Sequence, residues 1–159
     1  MIRALLAYLV AVIVTYITGA FFASQNNLSQ VAEIISEKPE IGLSITFSQR
    51  LDAAFHDITH MVQSYLPLIA VAFLIAFPVS GLLSSMVAPR RRGLFYVLAG
   101  FVAVITLHIS LKAAFDVWGV AATRTLSGLI TQGLCGLLGG YIFHRMTHGA
   151  FVERTTKRT

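Results

Sequence analysis

Four apolar blocks, at about residues 4–23, 66–86, 94–114 and 125–143, constrain this chain more than any other feature of it. Each is close to the ~20 residues that carry an α-helix across the hydrocarbon core of a bilayer. In that core no water is available to bond a free N–H or C=O, so an apolar segment of this length closes its hydrogen bonds internally, as a helix. In a chain of 159 residues these blocks leave little besides connections, and the composition agrees: 12% of residues are charged and the mean hydropathy is +0.75. An ordinary soluble domain is about a quarter charged. The expectation is one membrane domain, an all-α membrane protein built as a four-transmembrane-helix bundle with an outer-side amphipathic helical segment.

The first block follows Arg3, an arrangement shared with secretory signals. A signal core is ~7–15 apolar residues long, and Phe21 stands where cleavage before Ser24 would want a small side chain, so an uncleaved anchor is expected. Orientation follows from the basic residues. Arg3, Arg90, Arg91, Arg92, Arg145, Arg154, Lys157 and Arg158 make eight on one side of the four spans, against Lys38, Arg50, Lys112 and Arg124 on the other. The positive-inside bias then puts both termini in the cytoplasm, in a plasma membrane of bacterial inner-membrane type. Six of the seven carboxylates fall on the outer side. The basic flanks, and above all the tail 144–159, suit anionic lipid rather than nucleic acid.

The outer segment, 24–65, is the only long polar stretch. Asn27 followed by Gln30 reads as a helix start, with Leu28, Val31, Ala32 and Ile35 at helical spacing and Lys38-Pro39 as the stop. Ile41, Leu43, Ile45 and Phe47 alternate with small polar residues over a stretch too short for a sheet, which predicts an extended connection. From about Ser48 to Leu66 a second amphipathic helix is expected, with Phe47, Leu51, Phe55, Ile58, Val62 and Tyr65 on one face and Gln49, Asp52, His56, His60 and Gln63 on the other, lying along the membrane surface. Pro67 is expected to open the second span after a bend, and Pro78 to kink it.

Helix association in lipid rests on close packing, and small residues at four-residue spacing mark the contact faces. Ala7, Ala11, Thr15, Gly19 and Ala23 form such a ridge on the first span, Ala72, Ala76, Ser80 and Ser84 on the second, and Gly133, Gly136 and Gly140 on the fourth. These ridges serve either packing within the chain or contact with another subunit in a homo-oligomer. Gln132, in the middle of the fourth span, reads as a helix-to-helix hydrogen bond.

Two polar stripes are candidates for chemistry. Asp52, His56 and His60 recur every fourth residue on one helical face; two imidazoles so placed, His56 and His60, can share a divalent metal, with the carboxylate as a third ligand. The alternative is a solvated face, since no HExxH accompanies the pair. His108, Lys112 and Asp116 repeat the spacing on the third span. An ionisable side chain inside a span usually faces the bundle interior or a cavity, so these six residues are expected to form one outward-facing ligand pocket, with the first stripe as mouth and His108 and Lys112 as floor. The alternative keeps His108 as a neutral imidazole bonded to a neighbouring hydroxyl. His144 and His148 repeat the spacing once more beside Arg145, where anchoring to the inner leaflet is the simpler role. Cys135 stands alone within the fourth block and reads as packing.

No motif specifies a reaction or requires a cofactor. The expected role is that of a non-enzymatic accessory or self-assembling subunit whose outward surface or pocket meets a partner membrane protein, a lipid or an apolar ligand. The alternative is a membrane redox or metal enzyme holding haem or a divalent metal through outer-side histidines, and a second alternative is a subunit of an oligomeric channel or transporter. No internal repeat suggests transport machinery.

Overall fold

The computed structural model describes residues 2–36 and 46–156, with side chains described over 2–35 and 46–147. Lys38-Pro39, the alternating residues up to Ile45, the side chain of His148 and the end of the basic tail lie outside the described residues. Five α-helices follow in order: α1 Ile2–Ser36, α2 Phe47–His60, α3 Val62–Val87, α4 Arg92–Phe115 and α5 Leu126–Thr156. Short 3-10 turns at Pro89–Arg91 and Ala121–Arg124 precede α4 and α5, and no strand occurs among the described residues. Four stretches are long and apolar enough to cross a membrane: Ile2–Ile35, Val62–Val87, Pro89–Phe115 and Leu126–Thr147. The protein is thus an all-α, four-helix membrane-type bundle.

The four spanning helices form a closed ring in which each packs on its chain neighbour and α5 returns to α1. Paired residues run in opposite directions along every contact. Tyr65 meets His108 and Phe77 meets Tyr96 across α3 and α4. Gly100 faces Gly136 and Tyr96 faces Gly140 across α4 and α5. Every contact is therefore antiparallel, the up-and-down arrangement that short connections impose.

Each span buries one stripe at helical spacing: Tyr65, Ile69, Phe73, Phe77, Ser80 and Ser84 on α3, and Tyr96, Gly100, Val104 and His108 on α4. On α1 the small-residue ridge of Ala7, Ala11, Thr15 and Ala23 is enclosed. On α3, Ala72 and Ala76 are only half-buried, and the aromatic rings of Phe73 and Phe77 fill the contact instead. The tightest approach joins α4 to α5. A Cβ on Gly100 would collide with the Gly136 carbonyl, one on Gly136 with the Gly100 carbonyl, and one on Gly140 with the Tyr96 carbonyl, all inside 3.0 Å. Backbone meets backbone there because three glycines remove everything between, and the dispersion contacts so gained are what lipid cannot replace.

Two local expectations differ from the structure. α1 does not stop near residue 23 to restart at Asn27; it is one helix of 35 residues through Ser36. Asn26 and Asn27 carry ordinary helix penalties that tertiary contacts outweigh: Gln25 Nε2 donates to the Arg50 carbonyl of α2 at 3.1 Å, tying this stretch to its neighbour. The second difference is the break into the second span. It falls at Met61, with Pro67 already inside α3, rather than at Leu66-Pro67. Tyr16 of α1 donates its hydroxyl to the Ile58 carbonyl, the acceptor that an uninterrupted helix would offer to the Val62 amide. Tyr65 is consequently the first buried residue of α3 rather than the last of an amphipathic surface helix.

Candidate functional site

Three of the largest polar side chains enclosed by the bundle converge at one level, below the end that carries α2. His108 of α4 is 0% exposed, Gln132 of α5 1% and Tyr65 of α3 2%. The Tyr65 hydroxyl lies 3.2 Å from His108 Nε2 and donates to Gln132 Oε1 at 2.8 Å, and Gln132 Nε2 donates to the Gly19 carbonyl of α1 at 2.9 Å. All four spanning helices contribute one member. A Cβ on Gly19 would fall 2.8 Å from Gln132 Oε1, so the glycine leaves the space in which the amide turns toward α1.

The direction of this chain follows from its last member. A backbone carbonyl only accepts, so the Gln132 group facing Gly19 is the amide nitrogen and Oε1 faces Tyr65. Oε1 only accepts, so the Tyr65 proton points to it. The Tyr65 oxygen then accepts from His108, and a neutral imidazole protonated at Nε2 carries its lone pair on Nδ1. His108 Nδ1 is buried without a hydrogen-bond partner among the described residues. Three elements thus agree on one tautomer, and the chain ends in a backbone carbonyl that cannot pass a proton on.

Above His108 the connection 116–125 folds back over the end of the bundle. Asp116 ends α4 in the left-handed conformation, with φ of 56°. Val120, Ala122 and Thr123 are buried. Thr123 Oγ1 donates to the Val120 carbonyl at 2.7 Å, and Thr125 Oγ1 accepts from the Gly128 amide at 3.2 Å, which starts α5 with a side-chain cap. Gly119 lies directly over the imidazole: a Cβ there would stand 3.1 Å from His108 Nδ1 and 2.8 Å from Leu111 Cδ1.

The six residues expected to share one pocket fall into three environments. His108 faces the interior. Lys112 and Asp116 form an ion pair at 2.5 Å on the surface, with the Lys112 ammonium 5.5 Å from the Trp118 ring centroid. Lys112 holds the Asp116 carboxyl below its ordinary range, through the hydrogen bond first and the charge second. Asp52, His56 and His60 are exposed on α2. A shared spacing of four residues set these side chains on one face only within each helix. Burial then separated them, because α4 turns from the interior to its exposed end within the two turns between His108 and Asp116.

The His56 and His60 rings stack, with centroids 3.9 Å apart and planes inclined by 21°. His60 Nδ1 lies 2.9 Å from the His56 carbonyl. Parallel rings direct their nitrogen lone pairs side by side rather than to one point, whereas an ion held by both needs bonds of ~2.0–2.1 Å that converge. Among the described residues no three His, Cys, Asp or Glu side chains are grouped closely enough to hold a metal ion.

Sequence reasoning missed Tyr65, which it placed on a surface helix, and Gly119, which it did not single out. The signal for Tyr65 was its place one turn before Ile69 and two before Phe73 on a single stripe. No family model, curated protein or solved structure matches the chain.

Proposed function

We propose that this chain is a non-enzymatic accessory or self-assembling subunit of a bacterial-type plasma membrane, with both termini in the cytoplasm and a partner-facing surface on α2 and the end of α1. The observation that carries this reading is the apolar surface left open there. Phe47, Leu51 and Phe55 on α2, and Val31 and Ile34 on α1, are all exposed, Phe47 and Phe55 by more than 70%. Beside them Tyr65 and Gln132 bond in one chain that joins all four spanning helices, an arrangement suited to holding helices together. The sidedness rests on charge: Arg3, Arg90, Arg91, Arg92 and Arg145 gather at the opposite end from Glu33, Asp52, Asp57 and Asp116. The arginine-rich end also favours anionic lipid.

The test is photo-crosslinking from positions 47 and 55 in native membranes. A discrete protein adduct, to a second copy or to another membrane protein, is the expected result. Adducts to lipid alone would overturn the subunit reading, and a Soret band or stoichiometric metal in the purified chain would replace it with the enzyme.

A further inference from the structure

We propose that His108 Nδ1 is a proton-binding site and that the connection 116–125 is the lid it controls, so that the end of the bundle carrying this connection opens on acidification.

Three observations combine. The first is the direction of the buried chain. His108 donates through Nε2 to Tyr65 whether the imidazole is neutral or protonated, because protonation adds a hydrogen only at Nδ1. The contacts with α3, α5 and α1 are therefore the same in both states. Whatever protonation disturbs lies on the Nδ1 side, which is the side of the lid.

The second is what meets Nδ1 there. Neutral, the nitrogen is a buried lone pair without a donor. Protonated, it becomes a buried N–H on a cation, and among the described residues the groups that face the imidazole supply no anion: Tyr65 from α3, Gln132 beyond it from α5, Leu111 from α4 and Gly119 from the lid. The nearest carboxylate on the same helix, Asp116, is already held by Lys112. A buried charge without a partner is costly, and admitting water is the available relief. The third is space. A methyl group at Gly119 already stands too close to both Nδ1 and Leu111, so on this side a proton enters the closed state and a larger ligand does not.

The chain carries its own reporter, since its single tryptophan, Trp118, sits in the lid next to Gly119. In the purified full chain, acrylamide quenching of Trp118 is measured between about pH 8 and about pH 3.5, with variants separating His108 from the carboxylates that titrate at the acid end. Quenching should rise on acidification through a transition one proton wide. His108→Gln should abolish the transition while Asp116→Asn, which removes the other group able to move Trp118, should leave it in place. A flat profile in the unmodified chain overturns the proposal, and so does a transition that survives His108→Gln. Should His108→Gln not fold, the ring nitrogen NMR shifts of His108 in the unmodified chain decide: they should titrate with the same midpoint as the quenching, and a midpoint apart from it overturns the proposal. Partner binding by α2 has no part in this measurement, so the two proposals fail separately.

Discussion

The α4–α5 seam and the contact between α1 and α2 both hold two antiparallel helices together, and they do so by opposite means. In the seam, Gly100, Gly136 and Gly140 clear away side chains until carbonyl and Cα groups touch. Between α1 and α2 side chains bond across the contact: Tyr16 to the Ile58 carbonyl, Gln25 to the Arg50 carbonyl, Arg50 back to Gln25 and Ser29. Within lipid there is no hydrophobic gain in bringing helices together, so close packing must supply the attraction or polar groups must bond across the contact. The seam uses the first means and the α1–α2 contact adds the second.

The comparison breaks most visibly at the seam. Gly136→Leu places a branched side chain where the Gly100 backbone lies, and backbone cannot move aside as a side chain does. Loss of the folded bundle is expected, seen as aggregation at low temperature in detergent, whereas Leu138→Phe on the exposed face should behave as the unmodified chain does. Equal behaviour of the two variants would remove the seam from its place in this contrast.

A smaller effect is expected where side-chain bonding is used inside the bundle. Tyr65→Phe leaves His108 Nε2 without an acceptor and Gln132 Oε1 without a donor, a loss of about 1–3 kcal/mol by analogy with other unsatisfied buried groups. Reversible unfolding in mixed detergent micelles measures it. Adding His108→Leu and Gln132→Leu to Tyr65→Phe should recover part of the loss, since an apolar set leaves nothing unpaired; no recovery would show that the hydroxyl is not the link.

Smaller again is Tyr16→Phe, at about 0.5–1.5 kcal/mol. Its effect should be local, with faster amide exchange in α2 and unchanged exchange in the seam. Exchange that quickened equally in both would mean that α2 is not an appendage but part of the bundle.

The least effect is expected at the exposed Lys112–Asp116 pair. Asp116 is held below its ordinary carboxyl range, so its contribution is complete above that range and disappears as pH falls through the depressed value. Asp116→Asn, which tolerates the left-handed conformation, should flatten the acid limb of stability without moving the neutral value much. An acid limb identical in the variant would assign the slope to other carboxylates.

The legible part of this protein is the part that repeats. The lengths of the apolar blocks fixed the number of spans, because the thickness of a bilayer is a constant that sequence can be measured against. The reading of Gln132 as a bond between helices was also available from one residue, since an amide in an apolar run has few other ways to be satisfied. His108 was legible as a buried group, but not its tautomer, which depends on a glutamine and a tyrosine 24 and 43 residues away in the chain. The end of α1 differs from the expectation because the apolar block ends near residue 23 and Asn27 looks like the start of a new helix, and local preferences of a few tenths of a kcal/mol yield to tertiary contacts.

By itself, then, the amino-acid sequence determined four spans, their antiparallel order and the segregation of charge between the two ends. These follow from periodicity and from the cost of placing bare peptide groups or charges in hydrocarbon, both of which are properties of single segments. Only the tertiary structure decided that Gly100 is the partner of Gly136, that the helix breaks at Met61 under Tyr16, and that the polar stripe on α4 divides between a sealed imidazole and a surface ion pair. Each of these depends on which residue of a distant segment arrives at the same height and faces the same way, and a rotation of a helix by one residue, about 100°, changes the answer.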